Sequence, residues 1–168
     1  MARQVFIPGG IGYDETGARQ VQIPGSVGYD ETIPTGQFAR PSSDIATNGW
    51  TSSLGGALYA ALDETAADDA DYIYSPTNPT TQQFEVKLSS VTDPAVNTGH
   101  VISIRLQAVN ADTNFDLNLV QGTTVLDSWT ENVTAAAGLV TRTRTLTGTV
   151  ADSITQYGDL RIRGIARA

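Results

Sequence analysis

From about Asp44 onward, apolar and polar residues alternate along the chain. Phe84, Val86 and Leu88 face one way, and Glu85 and Lys87 the other. Ile102, Ile104, Leu106 and Ala108 alternate with Ser103, Arg105 and Gln107. Phe115, Leu117 and Leu119 alternate with Asp116 and Asn118, and Leu160 and Ile162 with Arg161 and Arg163. This period of two marks strands of antiparallel sheets with one buried face. Turn signals such as Asn110-Ala111-Asp112, Gln121-Gly122 and Thr147-Gly148 punctuate the runs. Strands are expected over 44–48, 56–62, 71–75, 82–89, 99–109, 113–121, 123–131, 139–147 and 158–166. The segment 56–62 is ambiguous, because Leu58, Tyr59 and Leu62 also fit a short helix. The expected fold is all-β, an antiparallel β-sandwich of jelly-roll type over 44–168. Trp50 and Trp129 are expected to be its largest core pieces, each indole N–H needing a partner.

The first fifth of the chain follows a different rule. Residues 2–17 read ARQVFIPGGIGYDETG and residues 18–33 read ARQVQIPGSVGYDETI, identical at 12 of 16 positions. Each unit reads as strand, turn, strand. Pro8-Gly9 and Pro24-Gly25 reverse the chain, because proline pre-sets φ and glycine accepts a positive one. An isolated hairpin is marginal in water. The pair is therefore expected to be an extended N-terminal arm (1–33) that orders on another protein. A repetitive leader without order is the alternative. Phe6, Ile7, Tyr13, Val21, Ile23 and Tyr29 are the expected anchors, with Arg3, Val5 and Arg19 completing the docking face. Two copies in tandem would raise avidity. A linker is expected over 34–43, punctuated by Pro34, Gly36 and Pro41.

Composition narrows the functions. With no cysteine and one histidine, thiol catalysis, disulfides and His-rich metal centres are excluded. The net charge is −8, from 18 acids and 10 bases. That argues against nucleic acid, whose binding depends on neutralising phosphates. The first 40 residues hold three arginines and four acids, so nearly all the excess lies in the sandwich. No stretch is apolar for the roughly 18 residues of a membrane span. The start lacks a secretory signal, so synthesis in a cytoplasm is the expectation.

Candidate chemistry is sparse. His100 reads as a strand-end residue, with no serine or cysteine motif beside it. Asp68, Asp69 and Asp71 lie in the acidic run DETAADDAD and are weak candidates for calcium, but the spacing fits no EF-hand. Arg142 with Arg144, and Arg161 with Arg163, share strand faces. If the two strands were neighbours, four guanidinium groups would line one surface. Alternatively, they pair across the sheet with Glu85, Asp116 or Asp127. Tyr59, Tyr72 and Tyr74 are candidate ligand-binding aromatics. No pair of carboxylates stands out as a glycosidase acid and nucleophile, so no enzyme activity and no cofactor are expected.

The repeat, with Arg3-Gln4-Val5-Phe6-Ile7-Pro8-Gly9-Gly10 and Gly12-Tyr13-Asp14-Glu15-Thr16 and again Arg19 through Thr32, resembles units near the start of small virion proteins of tailed bacteriophages. The remainder is similar to jelly-roll modules of phage head or tail appendages. Its matching stretches include Gly49-Trp50-Thr51, Leu58 to Glu64, Gly122-Thr123-Thr124-Val125 and Asp159-Leu160-Arg161-Ile162-Arg163. The resemblance implies a virion structural accessory protein of the head-decoration, cement or head-fibre type. Its arm would dock on the major capsid protein or another virion protein, and its sandwich would project outward. Copies would assemble as a homo-oligomer, a trimer being favoured. A tail, baseplate or neck module that reads host-surface carbohydrate is the alternative. An enzyme acting on cell-wall polymers ranks last.

Overall fold

The computed structural model describes residues 12–13, 19–21, 29–30, 36–66 and 68–167. The chain divides into two compact units, Met1–Gly36 and Gln37–Ala168. In the first, β1 (Gly12–Tyr13), β2 (Arg19–Val21) and β3 (Tyr29–Asp30) form an antiparallel sheet in the order β1-β2-β3. The β2–β3 pairing joins the two strokes of the second repeat, and β1–β2 joins one repeat to the next. The corresponding first stroke around Val5–Ile7 lies outside the described residues.

The second unit is an antiparallel β-sandwich. Its main layer is built from β4 (Pro41–Ala46), β7 (Gln83–Leu88), β9 (Thr113–Gln121), β10 (Thr124–Val133) and β12 (Leu160–Arg167), in the order β10-β9-β12-β7-β4. Two separate pairs face it. One is β5 (Thr51–Ser52) with β6 (Ile73–Tyr74), and the other is β8 (Val101–Leu106) with β11 (Val140–Thr145). The chain's two ends of this unit both enter the main layer. Strand β4 therefore begins inside the segment expected to be linker, and Gln37 already exchanges hydrogen bonds with the Thr92 backbone.

The alternation puts one face of the main layer into the core. Phe84, Val86 and Ala166 pack with Trp50 and Leu58; Leu117 and Val133 with Leu106 and Ala108; Leu119 and Leu160 with Leu146 and Ile154. The Trp50 indole donates to the Gln82 carbonyl at 3.0 Å and meets the Phe84 ring edge-on, centroids 4.8 Å apart. Gly164 occupies an inward position of β12 because Phe84 fills its side-chain space. A Cβ there would lie 2.7 Å from Phe84 Cζ and 3.2 Å from Leu117 Cδ2.

Three local expectations are corrected. Segment 56–62 is not a strand: Tyr59–Ala61 is a 3-10 turn. Asp44 fixes it, its carboxylate accepting the backbone N–H groups of Leu58 and Tyr59 at 2.8 Å each. The turn drives Leu58 and Ala61 into the core. Thr147-Gly148, expected as a hairpin or loop turn, is a helix start. The Thr147 hydroxyl accepts from Val150 N at 3.3 Å and caps α1 (Gly148–Asp152). Strand 71–75 shrinks to Ile73–Tyr74. The β9–β10 hairpin turns on Gly122 with φ of +59°, a left-handed backbone that suits glycine.

Candidate functional site

The outward face of the main layer is read directly from register. Arg163 sits opposite Glu85 on one side and Asn118 on the other, and Asn118 opposite Ser128. One row along, Ile165 lies opposite Gln83 and Asp116, and Asp116 opposite Thr130. Apart from Ile165 these positions carry polar or charged side chains, so the face is mostly polar from β7 to β10.

Its two halves differ. On the β7–β12 half, Glu85 is 4% exposed, yet charged. Arg161 donates to its Oε1 at 3.1 Å and Arg163 Nε to its Oε2 at 2.8 Å. Arg161 also reaches Asp159 at 3.2 Å, and Lys87 approaches the same aspartate at 3.8 Å. The Glu85 carboxylate beside it holds the Arg161 guanidinium above its ordinary basicity. A buried carboxylate is tolerable when both oxygens are so engaged.

The β9–β10 half is made of short side chains around a shallow hollow of about 340 Å³. Asp116, Asn118, Ser128, Thr130, Ile165 and Arg167 line it. Ser128 Oγ donates to Asn118 Oδ1 at 2.6 Å, and Thr130 Oγ1 to Asp116 Oδ1 at 2.7 Å. Arg167 Nε donates to the other Asp116 oxygen at 2.5 Å, and its Nη1 to the Thr80 carbonyl at 2.9 Å. The hydrogen bonds from Arg167, then from Thr130, hold the Asp116 carboxyl below its usual range.

The four-arginine surface does not form, because β11 and β12 belong to different layers. Arg142 and Arg144 instead point between the layers. Arg142 pairs with Glu131 at 3.3 Å, and Arg144 with Asp127 at 2.9 Å. Arg144 also lies 5.9 Å from the Trp129 ring. Its hydrogen bonds lower the Asp127 carboxyl.

Of the three candidate tyrosines, Tyr72 and Tyr74 lie together, 51% and 49% exposed with centroids 6.2 Å apart. Tyr59 does not join them, because it packs against the Trp50–Phe84 cluster. Among the described residues the acidic run brings no three carboxylates together. Asp69 pairs with Arg105 at 2.7 Å, and Asp68 accepts from Ala70 N at 2.9 Å in its own loop. Among the described residues no group including Asp71 could hold a metal ion. Of the arm residues expected to dock, Arg3, Val5, Phe6, Ile7 and Ile23 lie outside the described residues. Tyr13, Arg19, Val21 and Tyr29 lie on β1, β2 and β3.

A second hollow, about 520 Å³, is lined by Asp93, Asn97, Thr98, Asp152 and Tyr157 among others. Behind it, Tyr157 Oη and His100 Nε2 share a hydrogen bond of 2.7 Å. Burial, with the Asp93 and Asp152 carboxylates adding to it, pushes the Tyr157 hydroxyl up. Sequence reasoning passed over Tyr157's contact and the Asn118–Ser128 and Asp116–Thr130 pairs. Strand alternation places the latter on one face, but only register makes them neighbours. Among the described residues no helix is long and apolar enough to cross a membrane.

No protein-family model, curated protein or solved structure matches the chain.

Proposed function

We propose that the chain is a non-enzymatic virion structural protein that decorates the head of a tailed bacteriophage. The N-terminal repeats dock on the major capsid protein or another virion protein, and the sandwich is the displayed part. The observation that carries this reading is the division of the chain at Gly36 into a repeat unit and a sandwich with its own core. A sixteen-residue unit duplicated in tandem supports docking at equivalent sites. An acidic displayed domain repels packaged nucleic acid and stays soluble. Copies assemble in the reading as a homo-oligomer, a trimer first.

Deleting residues 2–33 tests it. The shortened chain should keep its circular dichroism spectrum and lose binding to purified particles. Binding at full strength would sink the docking role of the arm. Copy number per particle, from quantitative mass spectrometry, separates locations: hundreds fit a head protein and a handful a tail or neck protein.

The paired, half-exposed Tyr72 and Tyr74 favour a second reading, a tail or neck module that binds host-surface carbohydrate. Exposed aromatic rings can stack on the apolar faces of sugars.

A further inference from the structure

The hollow on the β9–β10 half has unused hydrogen-bonding capacity of a definite kind. Asn118 Oδ1 is occupied by Ser128, which leaves both N–H groups of its amide to donate. Ser128 Oγ and Thr130 Oγ1 each donate within the sheet, which leaves their lone pairs to accept. Arg167 uses Nε and Nη1, and Nη2 makes no hydrogen bond among the described residues. Asp116 carries the charge opposite to Arg167, so the hollow is internally neutral. Ile165 adds one apolar wall. Donors and acceptors thus spread across three adjacent strands, β12, β9 and β10, each about 4.8 Å from the next, which suits the spread of hydroxyls around a pyranose ring. An anion would compete with Asp116 for Arg167, and a cation would compete with Arg167 for Asp116. A ligand that both donates and accepts, carries no charge and has one apolar face meets neither obstacle. The volume is at the lower end for small-molecule sites, enough for a single sugar ring.

We infer that this hollow is a binding site for one ring of a neutral saccharide, with Asn118, Ser128, Thr130 and Arg167 reading its hydroxyls and Ile165 its C–H face. The inference rests on the carbohydrate reading and moves it away from Tyr72 and Tyr74, which lie just before and on β6 in the facing layer.

The test is an amide and side-chain NMR titration of the full chain. The probes are methyl α-D-mannopyranoside, methyl β-D-galactopyranoside, methyl α-D-glucopyranoside and, as the charged control, N-acetylneuraminic acid. At least one neutral glycoside should give saturable shifts at Asn118, Ser128, Thr130 and the Arg167 Nε. Asn118→Ala, which is half-buried and removes two donors, should weaken that binding about tenfold. Ser128→Ala should weaken it as well and stands in if the first variant loses its dispersed spectrum. Tyr72→Ala should leave it unchanged. Saturable shifts at Tyr72 and Tyr74 alone would overturn the hollow and keep the carbohydrate reading. Silence at both places would overturn both. Binding of N-acetylneuraminic acid without any neutral glycoside would overturn the neutral-sugar assignment.

Discussion

On the inner face of the main layer, Phe84 lies over Gly164 and against Trp50; one residue further along β7, on the outer face, Glu85 lies between Arg161 and Arg163. Both positions are closed to water. The inner one is limited by volume, because the Phe84 and Leu117 side chains fill the space a Cβ on Gly164 would need. The outer one is limited by charge, because the carboxylate keeps its place only while both oxygens are matched. Neighbouring residues of one strand therefore fail in different ways.

The largest effect should come from emptying the inner face. Leu117→Ala removes a side chain only 1% exposed and should cost about 3 kcal/mol, read as a lowered urea midpoint. Overfilling the same face is next. Gly164→Ala should cost about 2 kcal/mol, since Phe84 is held by Trp50 and cannot retreat freely. If that variant is as stable as the parent, the inner face is not volume-limited. Glu85→Gln keeps the shape and removes the charge, and should cost about 1.5 kcal/mol at neutral pH. A loss equal to that of Leu117→Ala would erase the contrast between the faces.

The acid side sharpens it further. Arg144 lowers the folded-state pKa of Asp127 and Arg167 that of Asp116. A lowered carboxyl contributes stability above its unfolded value, about 3.9, and that contribution is lost as pH falls through the folded value. Asp127→Asn should thus be less stable than the parent at pH 7, and the gap should close in the acid range below about pH 4. Urea midpoints at neutral and acid pH check this. The smallest effect should be at Asn118→Ala, about 0.5 kcal/mol, because its hydrogen bond is exposed. A large loss there would make the β9–β10 half structural, like its neighbour.

Most strands of this layer were legible because β7, β9 and β12 keep alternation over many residues. The inner core followed from that. Short elements were not legible. Thr51–Ser52 has too few residues to carry a period, and Tyr59–Ala61 takes its form from Asp44, fourteen or more residues away. The polar hollow was legible only in part. Asp116 and Asn118 visibly face away from Phe115 and Leu117, but their partners Thr130 and Ser128 depend on a register shift between Val125 and Asp127. The four-arginine surface failed for the same reason, since adjacency of strands is a property of topology and not of local pattern. Asp127 was correctly among the expected partners, although its pairing with Arg144 runs between layers and not across one sheet.

The inward charges of β10 have a further consequence. That strand ends the main layer, and its outer backbone groups have no strand beside them among the described residues. A long free strand is a template on which a second chain can add and fibres can grow. Here the strand is broken by the irregularity at Val125/Asp127, and Asp127 and Glu131 turn inward to Arg144 and Arg142. An incoming strand would have to pack beside these ion pairs and follow a kinked path. Many copies crowded at high local concentration can then remain separate sandwiches rather than one continuous sheet.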